Sequence, residues 1–151
     1  MAVFVTVLFL AGTADAAGTA ALTRTESSLL TAMNEARRAH GLRPLRADGR
    51  LERAARGHSS EMLRSGAFYH GAFSARIRTV GVQSPKVGEN LAWGVGALSR
   101  ARAIVNTWLT SPGHRANLLR PGFRLVGVGA LRGTFGGYRG ALMVTTDFAG
   151  R

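Results

Sequence analysis

Residues 124–148 read RLVGVGALRGTFGGYRGALMVTTDF. Two runs rich in β-formers, Arg124–Leu131 and Ala141–Phe148, flank a glycine-rich connection at Gly133, Gly136 and Gly137. That pattern predicts two strands joined by a hairpin turn. Upstream the period changes. Leu29, Leu30, Met33 and Ala36 recur at helical spacing within Thr23–His40. Glu26 near the start and Arg37, Arg38 and His40 near the end suit the helix dipole, and Gly41 and Pro44 stop the helix. Asp48 is a natural N-cap for a second helix ending at Gly66, with Leu51, Ala54, Ala55, His58 and Met62 along one face. A short third helix is expected over Ser74–Thr79. A fourth is expected from an N-cap at Ser99 through Leu109, with Trp108 in its apolar stripe. Gly88–Gly96 reads as a glycine-punctuated loop with a short extended piece. Helices first and strands last make the class α+β.

The 151 residues suit one domain with a real core. Hydrophobic content is 46% and charged content 19%, which excludes a disordered chain. The start, MAVFVTVLFLAGTADAAGTA, carries an apolar run at Ala2–Ala11 too short to span a bilayer. Ala14-Asp15-Ala16 then fits the small-x-small cleavage pattern. Residues 1–16 therefore read as a signal peptide, although the usual Lys or Arg of its n-region is missing. A buried N-terminal strand or helix is the alternative. Residues 17–27 form a lead-in and 28–149 the domain. The mature chain is expected to be secreted or associated with the cell envelope, with no transmembrane segment.

There is no cysteine, so no disulfide, thiol nucleophile or cysteine zinc site. The net charge of +12 comes from 19 arginines and the single Lys86. These are dispersed, with no basic block and no nucleic-acid-binding motif, which argues against nucleic acid as partner. Lipid or an anionic envelope polymer is the partner expected for a secreted cation.

Ser111–Leu119, SPGHRANLL, joins a turn-like Pro-Gly to a histidine. Ser111 with His114 invites a Ser-His nucleophile, but no G-x-S-x-G elbow exists and no acid is marked to orient the histidine. A helix start accounts for more: Ser111 as N-cap, Pro112 at N1 and His114 at N3. The positive helix N-terminus would hold His114 neutral. His58 reads as a packed, hydrogen-bonded histidine and His40 as solvated.

In order along the chain, LLTAMNEARRAHGLRPL, LERAARGHSSEML, His70, GENLAWG, WLTSPGHRANLL, FRLVGVGA and VTTDFAG resemble the CAP superfamily (SCP-like; cysteine-rich secretory, antigen-5 and pathogenesis-related proteins), in its bacterial secreted branch. The resemblance covers about Ser28 to Phe148. It implies a three-layer α-β-α sandwich with a central antiparallel sheet and a groove lined by His and Glu. By position it assigns His70, Glu89 and His114 to that groove, with Ser111 and Asn90 beside them. Animal and plant members carry two His and two Glu there, which hold a divalent metal in some proteins. Here Ser111 stands where the second acid would be. Thr146 and Val144 also depart, from a Gln and an aromatic.

Two His and one Glu are a known zinc set with an open fourth position. Zinc or another divalent cation on His70, Glu89 and His114 is thus one expectation, and a metal-free polar cluster the other. Asn90 is expected to tie backbone together, and Trp108, Asn117 and Arg115 to have structural roles, with Arg115 a partner for Glu89. Trp93 is expected in the core or groove wall. The leading functional reading is a binding module for a small or extended ligand, lipid or envelope component. The alternatives are a zinc-dependent hydrolase using His70, Glu89 and His114, and a cationic structural envelope protein with an inactive groove.

Overall fold

The first helix, α1 (Arg24–Ala39), begins with a capping box. Thr23 Oγ1 accepts from the Glu26 amide at 3.2 Å, and Glu26 Oε2 accepts from the Thr23 amide at 2.8 Å, which satisfies two otherwise orphan donors. Glu26 is also buried against Arg56, whose guanidinium reaches both its oxygens. Our computed structural model describes residues 21–150. The expected signal peptide and the first part of the lead-in lie outside the described residues, and α1 starts within the rest of the lead-in.

The remaining elements run in chain order. They are β1 (Arg46–Ala47), α2 (Gly49–Ser65), α3 (Phe73–Thr79), β2 (Lys86–Gly94), α4 (Ala101–Thr110), α5 (Pro112–Leu118), β3 (Phe123–Phe135) and β4 (Tyr138–Gly150). The sheet order is β1-β3-β4-β2. β4 pairs antiparallel with β2 and with β3, and only the two-residue β1 runs parallel. The hairpin turns at Gly136 and Gly137, both at positive φ. Gly133 is in β3, at a register shift rather than in the turn.

The strands alternate as their period of two demands. Val126, Val128, Ala130, Leu142, Val144 and Phe148 join the core beneath α1, α4 and α5. Ala141, Met143 and Ala149 face the other way, into the clusters around α2 and α3. A helical layer on each face gives the three-layer α-β-α sandwich. Asp48 caps α2, accepting from the Arg50 amide at 3.0 Å. Trp108 is buried, and its Nε1 donates to Leu91 O at 3.0 Å, tying α4 to β2.

Two expectations change. GENLAWG is not a loop: Glu89, Asn90 and Leu91 lie inside the nine-residue β2, because β4 supplies a long partner that the glycines alone do not reveal. Ser99 does not cap α4. It closes a 3-10 turn at Gly96–Ser99 by donating to Gly96 O at 2.8 Å, and Arg100 takes the N-cap position.

Candidate functional site

Three segments meet at one small cleft of about 260 Å³, lined by His70, Glu89, Ser111, Gly113, His114 and Asn117. His70 enters from the link between α2 and α3, Glu89 from β2, and the others from the α4–α5 corner. A larger depression of about 570 Å³, lined by Arg46, Arg50 and Arg124, contains neither histidine. The chemistry lies in the smaller one.

The cleft is built on amide clamps. Asn90 is fully buried and donates to His114 O at 3.0 Å. Asn117 donates to Glu89 O at 3.0 Å and to Asn90 Oδ1 at 3.1 Å. Two side-chain amides thereby lock α5 onto β2 and hold His114 opposite Glu89. Asn90 and Asn117 thus both bond backbone carbonyls across the α5–β2 contact. Arg115 does not: it is exposed and makes no side-chain hydrogen bond among the described residues, because its position on α5 points away from the sheet.

Glu89 is buried and both its oxygens are engaged. One accepts from His70 Nδ1 at 2.7 Å, and the other takes the guanidinium of Arg76, on α3. Arg76, not Arg115, is the partner of Glu89, since α3 packs over that face of the sheet. Ser111 holds the N-cap position of α5, and its carbonyl accepts from the Arg115 amide at 2.8 Å. Its hydroxyl makes no cap bond and instead lies 2.9 Å from His114 Nδ1. Each groove histidine therefore has Nδ1 fixed by a neighbour, while Nε2 has no protein partner among the described residues. Burial, and then the nearby His70, push the His114 pKa below the ordinary imidazole value. A proton NMR titration should give His114 a midpoint below the ordinary imidazole value.

These contacts decide how the residues fit a metal. With one oxygen on His70 and the other on the Arg76 cation, Glu89 orients an imidazole rather than offering a free ligand atom. No three His, Cys, Asp or Glu among the described residues are arranged to hold an ion. As a three-ligand zinc set, His70, Glu89 and His114 do not fit.

Behind Glu89 lies an acid that sequence reading missed. Asp147 on β4 is its register partner and is fully buried. Neither Asp147 oxygen receives a hydrogen bond from the described residues, and Glu89 stands beside it across the strand pair. Burial first, and the Glu89 charge second, raise its pKa well above the usual carboxylate value. An unfolded Asp147 ionises sooner than the folded one. Stability is therefore complete below the ordinary Asp value and falls as pH rises toward the folded value. Asp147→Asn removes the buried acid and its repulsion from Glu89 and should raise the melting temperature at neutral pH, with the gain vanishing in acid. A difference that grows in acid would contradict this. The signal in the sequence was an acid inside an otherwise uncharged strand run, VTTDF. Arg76 left none, being one arginine of many.

His58 is buried as expected, with Nε2 2.7 Å from Tyr69 O and Nδ1 3.2 Å from Glu61. Exposed His40 returns to Ala36 O. Trp93 lines neither the core nor the cleft, and is 38% exposed beside the hairpin.

Comparison with known proteins agrees with this architecture. Residues 30–148 match the cysteine-rich secretory protein family, CAP. The uncharacterized protein YkwD of Bacillus subtilis is 32% identical over 109 residues, 69% of this chain and 41% of that one. The chain thus spans less than half of that relative. An extracellular protein containing an SCP domain from Bacillus anthracis superposes with a TM-score of 0.70 at 29% identity, covering 84% of this chain and 40% of that one. An outer surface protein of Borrelia burgdorferi shares the fold, with a TM-score of 0.71 at 23% identity over 84% of this chain and 92% of its own. No helix among the described residues is long and apolar enough to cross a membrane.

Proposed function

Since the chain belongs to the cysteine-rich secretory protein (CAP) family, we propose that it is an extracellular binding module whose His70–His114 cleft takes a polar group of a small or extended ligand, a lipid head or another envelope component. One observation carries this reading: both groove histidines have Nδ1 fixed, by Glu89 and by Ser111, and keep Nε2 for a ligand. Rings already fixed lose little freedom on binding, and the clamps of Asn90 and Asn117 keep the cleft formed without it. Arg76 supplies the positive charge beside Glu89, so the cleft needs no cation to balance its acid. The zinc-hydrolase reading lacks its third ligand, and nothing in the cleft supplies a general base outside the histidine pair.

Native mass spectrometry of the protein recovered from the medium of a secreting host tests the proposal. We expect a bound mass on the parent protein that is lost in His70→Ala and in His114→Ala. The bare polypeptide mass throughout would contradict it. Zinc titration by calorimetry is expected to show no stoichiometric binding. A one-to-one heat abolished by either histidine substitution would restore the metal reading.

A further inference from the structure

Away from the cleft, the hairpin end of the sheet carries the large hydrophobic side chains that the fold leaves in water. Among the described residues these are Phe68 (45% exposed), Trp93 (38%), Leu98 (68%) and Tyr138 (54%). They are far apart in sequence and together in space. Phe135, itself buried, is the hub: its ring lies 5.1 Å from that of Trp93 and 6.4 Å from that of Phe68. Tyr138 sits 6.2 Å from Trp93 across the hairpin. Leu98 belongs to the same end, since its carbonyl packs against Gly94, next to Trp93.

The charge at this end is one-sided. The three stretches that build it, 62–68, 91–100 and 131–141, contain Arg64, Arg100, Arg132 and Arg139 and no Asp or Glu. Arg64 and Arg139 are exposed, four residues before Phe68 and next after Tyr138 in the chain. Ringed aromatics favour the polar–apolar boundary of a bilayer, and arginines favour its anionic head groups. A soluble protein partner would explain the aromatics, but it would not call for a rim of one sign. Scattered exposed hydrophobics need no explanation; a cluster bridged by one buried ring does.

We infer that Phe68, Trp93, Leu98 and Tyr138, rimmed by Arg64 and Arg139, form a surface that docks on an anionic lipid bilayer, inserting the aromatic rings at the head-group level. The surface is independent of the His70–His114 cleft, so either can fail alone. Its placement on a hairpin tip braced by Phe135 presents the rings without unfolding anything.

Tryptophan emission tests this directly. There are two tryptophans. Trp108 is buried and bonded to Leu91 O, so a change on adding vesicles reports Trp93. With vesicles of phosphatidylglycerol and phosphatidylcholine we expect co-sedimentation and a blue shift, and neither with phosphatidylcholine alone. Trp93→Phe should sediment as before without the shift. Phe68→Ser with Tyr138→Ser should weaken binding about tenfold or more, and Arg64→Ser or Arg139→Ser about fivefold each. Near-UV dichroism checks that these exposed positions leave the fold intact. Sedimentation without a blue shift, unaffected by the double serine variant, would mean generic adhesion of a +12 chain and would overturn the inference. A concentration-dependent shift without vesicles would instead assign the patch to a second copy, and would also overturn it.

Discussion

Gly127→Ala is expected to lower the melting temperature by more than about 10 °C, and Gly127→Val to prevent folding. Gly127 lies in β3 on the face covered by α2. A Cβ there would sit 2.0 Å from Leu51 C and 2.2 Å from Leu51 O. Gly129, two residues on, meets the same helix, with Ala55 C at 2.3 Å. Ordinary overpacking costs about 1–3 kcal/mol because side chains can move aside. Here the obstacle is helix backbone, so α2 itself must lift from the sheet. The cost then exceeds about 3 kcal/mol, a large share of the 5–15 typical of a domain of about this size. A glycine on α2 provides the control. Gly57 has nothing within 4 Å of a would-be Cβ, so Gly57→Ala should stabilise by about 0.5–1 kcal/mol. Thermal unfolding followed by circular dichroism separates the two, and similar melting temperatures for Gly127→Ala and Gly57→Ala would refute the account.

Arg37→Met should be nearly as damaging, by about 3–5 kcal/mol. Arg37 is fully buried in α1 and has no carboxylate partner among the described residues. Its guanidinium donates instead to Arg43 O at 2.9 Å, Leu118 O at 2.8 Å, Arg120 O at 3.2 Å and Phe123 O at 3.2 Å. Those carbonyls include the end of α5, which no helical amide can satisfy. Burial, and then the Arg124 charge, lower the Arg37 pKa, so the four carbonyls are what keep a charged group tolerable there. Arg37→Lys cannot span them, because an ammonium offers three donors from one point rather than a planar fork. It should recover less than half of the loss. The reach is functional as well as structural. When the end of α5 loosens, His114 loses its seat, so its ring resonances should shift in Arg37→Lys. Unchanged His114 shifts would disconnect the anchor from the cleft.

Residue by residue, legibility follows the range of the forces involved. The α1 cap region, the Asp48 cap, the Gly66 stop and the hairpin were readable because each is a local contest between backbone geometry and a neighbouring side chain. Packed His58 was readable from its helical stripe. The convergence of His70, Glu89 and His114 came only through the order of motifs that resemble the family, since nothing in their spacing brings them together. Arg76 and Asp147 were invisible as partners of Glu89. One arrives by helix packing and the other by strand register, and neither is encoded near residue 89.

By itself, the sequence determined the helices, the closing hairpin and the α+β class, because periodicity, caps and glycine turns act over a few residues, and the family through the order of its motifs; strand β2 reads there as a loop. The tertiary structure alone decided which charge met Glu89, which acid stood behind it, and which aromatics stayed in water. Those choices depend on sheet register and on how closely α2 and α3 approach the sheet. A buried carboxylate takes whatever partners the packed layers bring within reach, so Glu89, held by Arg76, became the support of His70.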